Sequence, residues 1–412
     1  MRDRYLIRQA ANAALVVNAL RPAPGTWASI PAFFAGWLTA ELAPHLLALT
    51  AADTAVTLVR HGVRDERRGL LAAGAAMTGY TALLAAGHRA RGEVEDALGE
   101  ALGADYVQRL ARAPEAAELA TPWRRLVNPF RMAEVEVVAT RRLPYHEGGK
   151  RFELDVYRHR EKPTGAPVLL QIHGGGWVIG EKEQQGIPLM MRMAARGWTC
   201  VAMNYPLSPR AKWPEHIVAV KRAIAWIRGH AAEYGANPAF IAVSGGSAGG
   251  HLAALAALTP NDPTLQPGFE DDDTSLQACV PHYAVYDFTD EDGSRASKMR
   301  LESLLRRFVM AADAVYPDDY RAASPVHQVN AAAPPFFVLH GSNDTLVPVV
   351  DARAFVDRLR AVSKNPVAYA EIRGAQHAFD IFPSVRSAHV VRGVERFLEW
   401  ARATADEPLP AR

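Results

Sequence analysis

The chain of 412 residues carries only two cysteines, Cys200 and Cys279, and neither belongs to a Cys-x-x-Cys pair, which excludes a disulfide scaffold and the usual zinc or redox motifs. Lysine is scarce: there are seven, all from Lys150 onward, against 39 arginines, which is a compositional bias and not a functional signal. Neither sign of charge is in excess, since 46 basic residues face 44 acidic ones, and a formal net charge of +2 leaves no strongly basic surface for nucleic acid. Low-complexity tracts and internal repeats are absent, and 49% hydrophobic with 22% charged residues excludes disorder as the main state. A cleavage site is missing too. The apolar stretch Ala10 to Leu20 runs into Arg21-Pro22-Ala23-Pro24, so no cleaved signal peptide is expected.

Up to about Arg125 the sequence is apolar and helical in pattern. From Pro22 to Ala52 the only acidic or basic residue is Glu41, and the 18 residues Leu70 to Gly87 have none. At ~1.5 Å per residue those 18 would span roughly 27 Å, close to a bilayer core. Two readings follow. Residues 26–87 contact a membrane and place the protein at the membrane or cell envelope, or they are buried, cap-forming helices of a cytoplasmic protein, with Glu41, Pro44 and His45 interrupting the first run and Gly74 and Gly79 diluting the second. Arg60 to Arg68 holds four arginines against Asp65 and Glu66, but the N-terminus is basic as well, so charge does not set an orientation.

From Ala133 onward short β-rich runs alternate with amphipathic helices, which divides the chain into an apolar helical region, 1–125, and an α/β region, 126–412. Val168–Ile172, Val201–Asn204, Ala239–Val243, Phe336–His340 and Val367–Ile372 read as strands. Ile187–Ala195, Glu215–Tyr234, Gly250–Leu258 and Val350–Val362 read as helices. Near-continuous apolar strands joined by helices imply a mostly parallel sheet covered on both faces.

Directly after the third of these strands comes Ser244-Gly245-Gly246-Ser247-Ala248-Gly249-Gly250, a G-x-S-x-G turn before an apolar helix. A nucleophile on so tight a turn takes a strained backbone, and its neighbours must lack side chains to fit. His173-Gly174-Gly175-Gly176-Trp177 ends an earlier strand, and its glycines let backbone N–H groups approach the oxyanion that acyl transfer produces. A phosphate loop is the competing reading, but G-x-G-x-x-G fails and no Lys-Ser/Thr follows.

A serine needs a base, and in this fold the order is Ser, acid, His. Of the histidines after Ser247, His377 lies in a loop, Arg373 to Phe379, following the strand Val367–Ile372, where a side chain can reach back over the sheet. His251 sits in the first helical turn after the serine and points elsewhere, His340 is on a strand and His389 falls in the last helix. For the acid, Phe336–His340 runs into the polar turn Gly341-Ser342-Asn343-Asp344; Asp287, one strand earlier, is the rival.

His173–Trp177, Asn204-Tyr205-Pro206-Leu207-Ser208-Pro209, Gly245–Gly250, Gly341–Asp344 and His377-Ala378-Phe379 together resemble the hormone-sensitive-lipase-like carboxylesterases and lipases of the α/β-hydrolase superfamily, over about Arg125 to Arg402. The resemblance implies Ser247 as nucleophile, Asp344 as acid, His377 as base, and the N–H groups of Gly175, Gly176 and Ala248 as the oxyanion hole. Gly246 departs from it, since much of the family has an acidic residue there, and the likeness is closer to a bacterial subgroup of esterases and acetylhydrolases. The N-terminal extension is similar to that of actinobacterial lipase/esterase proteins described as envelope-associated. The expected fold is an α/β hydrolase, a mostly parallel sheet flanked by helices, with an apolar helical extension. The expected function is hydrolysis of small-molecule or lipid carboxylic esters through an acyl-enzyme, with no cofactor, no metal and no nucleic-acid partner, and the oligomeric state left open. An acyltransferase or amidase with the same triad, or a silent membrane-interaction scaffold, is the alternative. Two further expectations are a solvated loop at Phe269–Asp273 and a cap helix over Leu301–Val315.

Overall fold

In the computed structural model, residues 2–23, 28–115, 119–291 and 302–405 are described. Four helices come first: α1 (Arg2–Leu20), α2 (Ser29–Glu41), α3 (Ala43–Asp65) and α4 (Arg67–Leu102). An eight-stranded sheet follows, in the order β1-β2-β4-β3-β5-β6-β7-β8. Its strands are β1 (Val137–Pro144), β2 (Glu153–His159), β3 (Ala166–Ile172), β4 (Thr199–Met203), β5 (Ala236–Gly246), β6 (Ala278–His282), β7 (Phe336–Gly341) and β8 (Val367–Ile372). β2 alone is reversed, antiparallel to both β1 and β4, and every other pair is parallel. β3, β4, β6 and β7 are buried along their whole length, which is why they read as unbroken apolar runs without alternation. Cys200 and Cys279 lie among them as buried free thiols.

The crossover helices are α5 (Ile187–Ala195), α6 (Glu215–His230), α7 (Ala248–Leu258) and α8 (Val349–Val362), and α9 (Val385–Ala403) follows the last strand. They split the core into two apolar layers, one per sheet face. Leu301 lies outside the described residues, and the helix expected from it is short. Residues 302–309 are helical, closing in a π turn at Leu305–Val309, and 310–317 run as turns. Phe269–Asp273 is an open loop in which Arg222 covers the Phe269 ring.

Strand register brings the functional loops to one edge. Ile172 pairs with Gly245, Gly246 with His282, and Gly341 with Ile372, so the segments that begin at His173, Ser247, Ser342 and Arg373 all leave the sheet at neighbouring carboxyl ends. That is where an open α/β sheet leaves room for a ligand.

The N-terminal helices share this core. Ala90, Val94, Ala97 and Leu98 of α4 belong to the same apolar layer as Phe337, Leu339, Ala370 and Phe397. The approach of α4 to α9 is so close that a Cβ at Gly393 would lie 2.1 Å from Val94. The first half of α4 packs on α1, where a Cβ at Gly69 would strike the Tyr5 ring and one at Gly79 would strike Val16. Glu41 at the end of α2 is buried against Arg386 of α9 and accepts a 2.6 Å bond from Ser384 Oγ. Among the described residues α4 alone is by itself long and apolar enough to cross a membrane, and 39% of its apolar window is buried; α2 and α3 pass that test only as a pair bent by 79°.

Three imidazoles are buried uncharged in the core. His251 Nδ1 accepts from the Trp177 indole at 3.3 Å while its Nε2 lies 2.7 Å from the Ala323 carbonyl, an arrangement that uses one proton and has no place for a second. Burial pushes His251 down to about 4, the Ala323 bond opposing. It does the same to His173, to about 4, and to His216, to about 3.

Removal of residues through Pro122 should therefore yield insoluble, inactive protein. Exposing even on the order of 300 Å² of apolar surface, at ~25 cal/mol per Å², costs as much as the ~5–15 kcal/mol that holds a domain folded. A soluble truncation that still turns over short esters would show the helices to be dispensable. Acid should also destabilise the protein earlier than carboxylate titration does. The three imidazoles have folded values of about 3 to 4, against an ordinary 6.5, so below pH 6.5 the unfolded chain takes up protons that the folded one refuses. Their contribution is complete above 6.5 and lost as the pH falls towards 4; urea midpoints at pH 7.5, 6 and 4.5 should decline steadily, and a flat series would contradict it.

Candidate active site

Ser247 stands between β5 and α7 with φ 57° and ψ −122°, a conformation that a non-glycine residue takes only where its surroundings impose it. They do. A Cβ at Gly249 would lie 2.2 Å from the Ile172 carbonyl, and one at Gly245 would lie 2.4 Å from that of Gly249, so the chain can turn this tightly only without side chains there. The Ser247 N–H donates to His282 O at 3.0 Å, which fixes the turn against β6.

The 173–177 loop lies directly on this elbow. A Cβ at Gly174 would sit 2.6 Å from the Gly246 carbonyl and 3.0 Å from Ser247 Cβ. Gly175 and Gly176 both have positive φ, 117° and 59°. The N–H groups of Gly175, Gly176 and Ala248 have no acceptor among the described residues, so three donors at this edge stay available to a ligand. Two side chains brace the loop from below. Tyr205 stacks on the His173 ring at 4.4 Å and donates to the His173 carbonyl at 3.0 Å, and Gln185 Oε1 accepts from Gly174 N–H at 2.7 Å. The Asn204–Pro209 motif thus supports the loop rather than touching the reacting centre. His173 Nδ1 bonds its own chain at Gly174 O, 2.8 Å away.

Asp344 and His377 are brought together: Nδ1 of the imidazole lies 2.6 Å from Oδ2 of the carboxylate. The other carboxylate oxygen accepts the N–H groups of Leu346 and Val347, both at 2.8 Å. The turn geometry that makes Asp344 resemble an ordinary loop aspartate is thus what aims it. Burial alone would raise this carboxyl, but the adjacent His377 and the hydrogen bonds from His340 and His377 prevail and hold it well below the usual carboxylate range. Asp287 is not brought to His377. It bonds Thr289 N–H and Oγ1 at 2.7 and 2.6 Å and faces His327. Neither Ser247 Oγ nor His377 Nε2 has a hydrogen bond within the described residues, an open arrangement common in unliganded sites.

Tyr283, Asp380, Gln376 and Phe33 belong to the site without any motif to mark them. The Tyr283 ring lies 4.6 Å from His377, centroid to centroid, and a Cβ at Gly246 would come within 2.8 Å of it. Position 246 is therefore glycine because a tyrosine just after β6 fills the space beside the serine. The Tyr283 hydroxyl donates to Asp380 Oδ1 at 2.5 Å, and Asp380 Oδ2 lies 2.8 Å from His282 Nδ1. Burial would raise Asp380, but the His282 ring and the tyrosine hydroxyl hold it below its ordinary value. Gln376 Oε1 accepts from both His377 N–H and Thr345 N–H, at 3.0 and 3.1 Å, and so ties the loop that carries His377 to the turn that carries Asp344. From above, α2 closes on His377. Phe33 meets the imidazole edge-on at 5.9 Å and stacks on Trp37, while Thr345 Oγ1 donates to Ser29 O and Asn343 Nδ2 to Ala19 O.

No cluster of three or more metal-ligating side chains occurs among the described residues. Residues 154–359 match the BD-FAE family. "Probable carboxylic ester hydrolase LipM" of Mycobacterium tuberculosis is 44% identical over 98% of this chain and 96% of its own. "Esterase LipQ" of the same organism is 50% identical over 62% of this chain and 61% of its own. Among solved structures, the thermophilic esterase Est2 of Thermogutta terrifontis aligns with a TM-score of 0.52 at 25% identity, covering 65% of this chain and 91% of that one. With its sheet order, its strand-end loops and a relative similar from end to end, the chain belongs to the BD-FAE family of hormone-sensitive-lipase-like α/β hydrolases.

Proposed function

We propose that the protein is a serine carboxylic ester hydrolase that works through an acyl-enzyme. The observation that carries this reading is the Asp344–His377 pair at 2.6 Å, with its carboxylate pinned by two backbone N–H groups, at the same sheet edge as a serine on a strained elbow. Ser247 Oγ attacks the acyl carbon as its proton passes to His377 Nε2. The tetrahedral oxyanion lies against the N–H groups of Gly175, Gly176 and Ala248, each such donor being worth ~3–4 kcal/mol. The bond to the alcohol then breaks, and His377 returns the proton to the leaving oxygen. Water, deprotonated by the same nitrogen, attacks the acyl-enzyme, and the acid departs as Ser247 recovers its proton. Asp344 holds the imidazole in the tautomer this requires and stabilises its charged form. The names of the relatives, a carboxylic ester hydrolase and an esterase, support the reaction class.

The N-terminal helices act as the cap of this site. Phe33 and Trp37 on one face of α2 form an apolar wall beside His377, suited to an acyl chain. On the adjoining face of α2 Ile30, Phe34 and Leu38, four residues apart, are 50%, 53% and 40% exposed. Contact with a membrane or an ester aggregate is proposed through this outer stripe, not through a span, because α4, the one helix long and apolar enough among the described residues, packs along α1 and α9, and the bonds from Asn343 and Thr345 hold α1 and α2 to the turn that carries Asp344.

Ser247→Ala should keep the circular dichroism of the parent, lose labelling by an organophosphonate and lose at least ~10⁴-fold in kcat. Near-parental turnover would refute the nucleophile. For Asp344→Asn a kcat loss of ~10⁴-fold is expected, the size of the equivalent change in a serine protease; if Asp287→Asn did this instead, the acid would be one strand earlier.

A further inference from the structure

Apart from the residues around Ser247, α9, α5 and parts of the segment 110–134 enclose two adjoining cavities of about 270 Å³ each, and Arg192 and Arg392 line both. The first is walled by six arginines, Arg112, Arg192, Arg196, Arg392, Arg396 and Arg402, against two carboxylates, Glu395 and Glu399. In a chain whose formal net charge is +2 this is a concentrated excess of positive charge. It arises from spacing. Arg392 and Arg396 are one helical turn apart on α9, and Arg192 and Arg196 are likewise spaced at the end of α5, so two helices each turn a pair into the same space.

The carboxylates present are already engaged. Glu395 accepts from Arg192 Nε at 2.5 Å and lies 3.1 Å from Arg196 Nε, while Glu399 accepts the Trp198 indole N–H at 2.5 Å. Arg392, 8% exposed, bonds the neutral carbonyl of Ala120 at 2.6 Å. Burial, and then repulsion from Arg192, Arg396 and Arg125, push it down to about 10. Arg396, 7% exposed, reaches Glu95 with Nη2 at 2.8 Å, but its Nε is buried with no hydrogen-bond partner. A buried donor of this kind is destabilising until something accepts from it. The second cavity continues from Arg192 and Arg392 over the apolar side chains of Leu126, Met132, Met191 and Val391.

We propose that this double cleft binds an oxyanion carried on a hydrocarbon chain, its head between Arg392 and Arg396 and its chain along Met191 and Val391. Guanidinium forks suit a carboxylate or a phosphate monoester, since both present paired oxygens to paired N–H groups. The carboxylate released by ester hydrolysis is one source, an assignment that rests on the hydrolase reading, and the phosphate of a lipid headgroup is the other.

Isothermal titration calorimetry of the full-length protein with decanoate, decyl phosphate, inorganic phosphate and decanol tests it. Decanoate or decyl phosphate should bind, and should bind at least tenfold more weakly to Arg392→Gln, with Arg392→Lys between the two and turnover of a short soluble p-nitrophenyl ester unchanged in both. A preference for decanoate assigns the released carboxylate, and a preference for decyl phosphate assigns the lipid phosphate. Binding of neither probe, binding that Arg392→Gln leaves intact, or inorganic phosphate binding as tightly as decyl phosphate would overturn the proposal. Thermal melts of both variants establish that they are folded. Because heat of binding is read and not turnover, a protein that binds these anions but hydrolyses nothing would defeat the hydrolase reading and leave this one standing.

Discussion

Backbone meeting backbone at the end of β5 is the constraint on which the rest of the molecule depends. The distances that a Cβ would violate at Gly174, Gly245 and Gly249 show three chain segments packed at main-chain contact. Nothing larger than hydrogen can stand between them, and the left-handed Ser247 is the geometric result. Because strand register sets which residues emerge together, the same contact decides that the glycine loop after β3 lies beside the serine and that Tyr283, after β6, lies behind it. A sheet one residue out of register would deliver the loops to the wrong places even with every motif intact.

Charge around that contact is held by few groups, each given one state. Asp344 is kept ionised by two backbone donors and two imidazoles, and Asp380 by His282 and Tyr283. His173, His216 and His251, by contrast, are kept neutral by burial. A carboxylate can be stabilised in the interior by N–H and O–H donors, which are plentiful there, whereas a buried imidazolium needs two acceptors and each of these three sites offers one at most. Which histidines are held neutral thus follows from what surrounds each ring.

Strands and crossover helices were legible because burial on both faces removes alternation: β8 matches the run read from the sequence, and β3, β4, β5 and β7 differ from it only at their ends. The turns at 173–177 and 245–250 were legible for a related reason, since strained turns admit so few residue types that glycine and serine in order are informative. What escaped was everything assembled across long separations without a compositional mark. Tyr283 and Asp380 are 97 residues apart, and neither stands out in its own segment. Apolarity identified the first helices as unusual, but hydropathy is equal for a helix facing lipid and one facing a protein core. The glycines at 69, 79 and 393, which mark close helix contacts, have meaning only once their neighbours Tyr5, Val16 and Val94 are known. The expected cap helix failed in the opposite way, since apolar residues at helical spacing beyond Val309 are drawn into turns.

The bonds that fasten the cap also set a timetable for synthesis. Asn343 meets Ala19 across 324 residues, Ser384 meets Glu41 across 343, and Arg386 meets Glu41 across 345. Every one of these partners lies in the last fifth of the chain. At ~5–20 residues per second, the first helices leave the ribosome on the order of tens of seconds before the surfaces that cover them exist. During that interval an apolar, nearly uncharged stretch has only water, other helices or a chaperone to pack against, and final closure must await the last helix. Nascent chains of this protein therefore pass through a prolonged stage in which escort by a chaperone, or early contact with a membrane surface, decides between folding and aggregation.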